Sequence, residues 1–349
     1  MISHEVIFFT GFLLFIGFML AIDLGVFTKK NTEVSLKAAA FMSSLWVLLS
    51  LLFSVLLYYW GHELHDIQSI QELQDIVLKH KHSVNIIPDS FDVSLANYRK
   101  NLALEYLTGY VVEYALSVDN ILVIVILFSS FGIPEKYYHK VLVWGILGAL
   151  ILRFIFIFIG AALIAKFGWI LYVFGVFLIY TGIKIYLERN KKEEVNPKDH
   201  PVVKFASKYF NVSESLQGGK FFFKQNGRLF ITPLFLVLMA IEFTDLIFAT
   251  DSIPAIFSVT RDPYIVFFSN IFAILGLRSM FFLLVNVLDK FKYLETGLAF
   301  LMVFIGAKML LHDWLEIIGF TTTHSLLIII GILAISVVAS LIASKKTAT

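Results

Sequence analysis

The chain has 349 residues, 58% of them hydrophobic and only 15% charged, with a formal net charge of +2. A soluble domain is about 45–50% apolar and about a quarter charged, so this composition excludes an ordinary soluble enzyme and predicts an all-α, polytopic membrane protein lodged in a lipid bilayer. So small a net charge carries no nucleic-acid signal, and the lack of Cys excludes disulfides, iron–sulfur clusters and thiolate metal sites.

Nine apolar segments approach the roughly 20 residues a helix needs to cross the hydrocarbon. They fall at 5–27, 37–60, 103–131, 139–165, 168–187, 231–258, 264–286, 292–311 and 323–343. Met1–Glu5 holds no Lys or Arg, unlike a secretory signal, so the first segment is expected to be a retained helix. It ends near Asp23, a candidate gate residue or interfacial anchor. The loop Gly61–Asn101 carries His62, His65, His80 and His82. Its His62/His65 spacing suits one metal contact, but a polar amphipathic helix on the membrane surface is the favoured reading. Glu188–Leu229 mixes Lys191-Lys192 with Glu193-Glu194, Pro197, Pro201 and Gly218-Gly219, and reads as a flexible linker.

Orientation follows from Lys and Arg in the loops. With the N-terminus out and the C-terminus in, 18 of the 28 lie inside and 6 outside, and the other 4 are the intramembrane Arg153, Lys184, Arg278 and Lys308. The expected division is 1–60 (two helices), 61–102 (outer loop), 103–187 (spans 3–5), 188–230 (cytoplasmic linker), 231–311 (spans 6–8) and 312–349 (last helix and tail).

Charge inside the third and sixth spans is the strongest signal. A charge at the bilayer centre costs from about 2.5 to well over 10 kcal/mol, yet Ile241–Pro254 contains Glu242, Asp245 and Asp251. Upstream, Glu113 and Asp119-Asn120 repeat the spacing of Asp245 and Asp251-Ser252. Arg153 then matches Arg278, and Lys184 in Tyr-Thr-Gly-Ile-Lys matches Lys308 in Phe-Ile-Gly-Ala-Lys. Spans 3–5 and 6–8 therefore read as an inverted repeat of three helices, with spans 3 and 6 crossing near midplane.

On a straight helix, residues six apart point about 120° from each other. Pro254 suggests an opening around Thr250–Pro254 that would turn Asp251 toward Asp245. Carboxylates, the Asn120 amide, hydroxyls of Thr244, Thr250 and Ser252, and freed carbonyls are hard oxygen ligands, suited to Mg²⁺, Ca²⁺ or Mn²⁺. Six membrane acids (Asp23, Glu113, Asp119, Glu242, Asp245, Asp251) exceed the four bases, as a divalent cation would require. Arg153 and Arg278 are expected to pair with acids, Lys184 and Lys308 to serve in charge pairing or gating, and Glu105 and Glu295 to be solvated at span ends.

The stretches EYALSVDN at 113–120 and DLIFATDSIP at 245–254 resemble the two signatures of the TerC/Alx family of bacterial membrane proteins. The Asp-Leu-Gly-Val-Phe run of the first span and the Arg and Lys positions extend the resemblance over most of the chain. The family is similar to the LysE-type transporter group, built on inverted three-helix repeats. The resemblance implies manganese efflux across the bacterial cytoplasmic (inner) membrane, with links to alkaline response, tellurite resistance and metal supply to exported enzymes. It makes Glu113, Asp119, Glu242, Asp245 and Asp251 metal-binding acids and Asn120 an added ligand, with Mn²⁺ as cargo and no prosthetic cofactor. A membrane aspartyl protease would show a Gly-x-Gly-Asp stretch and an electron carrier paired Cys, and neither occurs. Amino-acid export fits a carboxylate-rich site less well than a cation does. An accessory subunit, with structural acids, is the standing alternative.

Overall fold

The structure is a computed structural model describing residues 4–23, 35–189, 200–213, 215–285 and 293–347. The helices are α1 (His4–Asp23), α2 (Leu36–Trp60), α3 (Ile70–His80), α4 (Phe91–Ser130), α5 (Tyr138–Lys166), α6 (Ile170–Glu188), α7 (Pro201–Tyr209), α8 (Pro233–Phe257), α9 (Pro263–Leu275), α10 (Leu277–Leu284), α11 (Leu294–Leu310), α12 (His312–Ile317) and α13 (Thr322–Thr347). Among the described residues, α2, α4, α5, α6, α8 and α13 are long and apolar enough to cross a membrane, and α9 with α10, bent by 41°, makes a seventh. Of the nine expected spans, the first is a shorter apolar helix, Val6–Ile22, and the eighth is the 17-residue α11.

Helix α4 is the spine. In its apolar window 61% of residues are buried, against 22–33% in the other spans, which turn most of their surface outward. It packs on α2, α8, α9 and α13, while α5 packs on α8 and α9. Every residue from Ile265 to Leu275 of α9 is buried, which explains an apolar run with no polar face. Phe12 of α1 and Phe53 of α2 seal its outer side, the Phe12 and Phe268 rings lying 4.2 Å apart.

Helices α6 and α11 meet along small residues. A Cβ on Gly306 would lie 2.6 Å from the Gly175 carbonyl, and one on Gly182 would lie 2.7 Å from that of Ala299. In the repeat that equates Lys184 with Lys308, Gly182 corresponds to Gly306 and Gly175 to Ala299. The two contacts are thus exchanged copies of each other on antiparallel helices, which is what a local twofold relation demands. The pairs α4 with α9 and α8 with α5 exchange in the same way.

Two expectations about local structure are corrected. Helix α8 stays helical across Thr250–Pro254, with Pro254 buried inside it. Pro254 sits in the last turn, so only one ladder bond is lost there, and the bend falls instead at Gly276, between α9 and α10. The segment read as a flexible linker is partly ordered. It contains α7 and a three-stranded sheet of β1 (Asn211–Val212), β2 (Phe222–Gln225) and β3 (Arg228–Ile231). The central β3 pairs parallel with β1 and antiparallel with β2. The turn residues Asn226 (φ 51°) and Gly227 (φ 74°) are the pair that closes tight hairpins.

The loop Gly61–Asn101 holds an amphipathic helix, α3, whose apolar face packs on the protein. Ser69 and Glu72 form a capping box at the start of α3, and Leu73, Val77 and His80 are buried. Leu73 and Val77 join the same apolar core as the spans.

Candidate functional site

Arg153 of α5 is wholly buried and collects groups from three other helices. Its Nη1 donates to Asn270 Oδ1 of α9 at 2.8 Å and contacts the Glu113 carboxylate of α4, and its Nη2 donates to Asp245 Oδ1 of α8 at 3.1 Å. The two acids come from equivalent positions of the two repeats. A buried guanidinium needs such partners, because its five N–H donors cannot shed their charge. Asn270 was not singled out from the sequence, although a lone amide in an apolar run carries the same energetic signal as an acid.

One guanidinium therefore serves two carboxyl groups from different helices. Among the described residues, Asp245 Oδ2, Ser117 Oγ and Ser252 Oγ are buried without hydrogen-bond partners, and buried polar atoms of this kind call for an explanation. Beside Asp245 a cavity of about 30 Å³ is lined by Asn120, Ile124, Gly145, Thr244 and Phe248, among others. It has room for one or two water molecules, each needing at least about 10–15 Å³.

The other predicted residues spread out from this centre. Asp119 is half-buried two turns beyond Glu113. Asp251 accepts a hydrogen bond from Thr181 of α6 at 3.3 Å. Glu242 lies in a groove between α5 and α8 with Trp144, Gly148 and Ile151; a Cβ at Gly148 would fall within 2.4 Å of its carboxylate oxygens. That glycine makes the room for Glu242. Arg278 Nη1 reaches His139 Nε2 at 3.0 Å. Lys184 is exposed and 4.0 Å from Glu188, whereas Lys308 lines a cavity with Arg261 and His312. The Asp23 side chain lies outside the described residues. Glu105 is no solvated end group. It is 2% exposed and accepts from Asn101 at 2.6 Å, Thr260 at 2.6 Å and His82.

A profile described as "Integral membrane protein TerC family" matches residues 98–348. The chain belongs to the TerC family. This TerC protein is 42% identical to an "uncharacterized membrane protein" of Myxococcus xanthus, over 97% of this chain and 93% of the relative. It is also 41% identical to a Salmonella typhi protein over 94% and 92% of the two chains. With the Escherichia coli K12 counterpart the identity is 40%, over 93% and 91%. Both of these are named Alx and described as candidate membrane-bound redox modulators. No solved structure matches this TerC protein.

Proposed function

We propose that the protein is a secondary transporter, not an enzyme, which exports divalent cations, foremost Mn²⁺, across the bacterial cytoplasmic membrane. The observation that carries this reading is the sharing of Arg153 by Glu113 and Asp245. Among the described residues it leaves Asp245 Oδ2 without a hydrogen-bond partner, beside a small cavity where Asn120 and Thr244 add hard oxygen donors. In this arrangement Arg153 holds the two acids together without cargo. A cation entering between α4 and α8 would take over the carboxylates, and Arg153 would give way. Asp119 and Asp251, further along the same helices, would receive or release the ion in alternating access, and protons would return on the same acids. Redox modulation through thiols would need Cys, and the sequence has none.

The same ion pair supports a second reading, in which the acids are structural and the protein is an accessory subunit in metal supply to secreted proteins or in tellurite or alkaline stress. Reconstitution separates the two. Purified protein in liposomes should move Mn²⁺ faster than Mg²⁺, should respond to an imposed pH gradient, and should lose flux with Asp119→Ala, Asp245→Asn or Asp251→Ala. Folded protein that moves no cation would leave the accessory reading standing. Flux indifferent to the gradient would remove proton coupling.

A further inference from the structure

Away from the charged centre, the loop Gly61–Asn101, helix α4 and the corner between α8 and α9 bring together three histidines and two acids. Asp262 is fully buried at the start of α9, where its Oδ1 accepts from Tyr264 N at 2.9 Å. His65 Nε2 donates to Asp262 Oδ2 at 2.8 Å. His82 Nε2 lies 4.0 Å from the same oxygen. One ligand atom from each of His65, His80 and Asp262 lies within 4.8 Å of the others. His80 and His82 are 7% and 6% exposed, and the Nε2 of each is buried with no hydrogen-bond partner among the described residues.

We propose that His65, His80 and Asp262, with His82 as fourth ligand, form a binding site for a borderline divalent transition metal of the Zn²⁺ class. Imidazole nitrogens with one carboxylate are the donor set such ions prefer, and the softer donors distinguish this site from the all-oxygen set near Arg153. Bonds of about 2.0 Å would place tetrahedral ligand atoms roughly 3.3 Å apart, between the separations seen here, so side-chain shifts of about 1 Å complete the shell. The outer contacts follow the pattern of metal-bound histidines, in which the remote ring nitrogen is tied to a carbonyl or carboxylate. His80 Nδ1 lies 3.4 Å from the Arg261 carbonyl, and His82 Nδ1 donates to Glu105 Oε2 at 2.9 Å. Glu105 is itself held by Asn101 and Thr260. A cavity of about 600 Å³, lined in part by His82, Thr260, Arg261 and Lys308, gives access from the side read as extracytoplasmic. On binding, the proton that joins His65 to Asp262 leaves to solvent, and the metal takes its place. A protonated His65 against Asp262 would satisfy the pair without metal, so the test must separate the two.

Full-length purified protein, stripped with a chelator and cleared of it, is titrated with Zn²⁺ in detergent. The expected result is one ion per chain with proton release. His65→Gln or His80→Ala should weaken binding at least ~100-fold, and Glu105→Gln by ~10–100-fold. His62→Ala, outside the cluster, and Asp245→Asn, at the transport centre, should leave it intact, so a failure of the transport reading would not touch this result. X-ray absorption at the zinc edge of the unaltered protein should show imidazole ligation, and that readout needs no variant to fold. Absence of Zn²⁺ binding, binding without imidazole ligation, or binding unchanged in folded His65→Gln and His80→Ala would overturn the site.

Discussion

Arg153 has no exposed surface and three side-chain partners, so its removal would leave Glu113 buried without a counter-charge. Breaking a buried pair in this way costs about 3–5 kcal/mol. Arg153→Ala should therefore lower the unfolding midpoint of the detergent-solubilised protein far more than Asn270→Ala, where one charge-assisted hydrogen bond of about 1.5–3 kcal/mol is lost. Two histidines give the metal-free protein a pH signature. Burial pulls the His82 pKa down, but Glu105, aided by Asp262, outweighs it and the pKa ends above the ordinary 6.5. The stability it contributes is complete below 6.5 and is lost as pH rises through the raised folded value. For His80, burial prevails over the pull of Asp262, and the pKa lies below 6.5. Between that depressed value and 6.5 the unfolded chain binds the proton more readily, so stability falls as pH drops through this window. The two groups together predict greatest stability near pH 6.5 in chelator-treated protein. Thermal melts across pH should lose the alkaline decline in His82→Gln and the acidic decline in His80→Gln.

At the scale of helices, the seam between α6 and α11 leaves no space for a methyl group. Gly306→Ala puts a Cβ against the Gly175 carbonyl, and backbone cannot step aside as a side chain can. Overpacking of this kind typically costs about 1–3 kcal/mol, whereas Gly331→Ala on α13, with nothing among the described residues within 4 Å of the added carbon, should be close to neutral. Melts of the two variants side by side check this. Such seams were visible in the sequence only as matching Gly-x-Lys contexts. The acids and Arg153 were legible because charge in an apolar segment is expensive wherever the chain folds. Which arginine would take both acids was not, since Arg153 and Arg278 occupy equivalent sequence positions and only packing separates them. Asp262 and His65 are 197 residues apart and meet because the outer loop folds down onto the α8–α9 corner. No local pattern encodes that meeting. Pro254 misled for the opposite reason: a local rule was applied where the surrounding helices keep α8 intact.

For the molecule as a whole, the exchanged contacts of the two repeats bring an acid from each repeat to one arginine. Arg153 takes both Glu113 and Asp245, and Arg278 Nη1 reaches His139. The membrane orientation itself is open to direct mapping because the chain has no Cys. A single cysteine replacing Lys79 should react with an impermeant maleimide in intact cells. One replacing Lys220 should react only after the membrane is opened, and the reverse pattern would invert the predicted orientation.

The cavity beside Asp245 bears on this at a different level. A divalent ion in water carries about six waters, and a space of about 30 Å³ admits one or two. An ion lodged in a space of that size would keep one or two of those waters. Mg²⁺ surrenders its hydration shell reluctantly, whereas larger divalent ions tolerate looser coordination. Discrimination against the abundant small cation would then rest on the work of dehydration, set by how closely α4, α5 and α8 approach one another, and only secondarily on which side chains supply the oxygens.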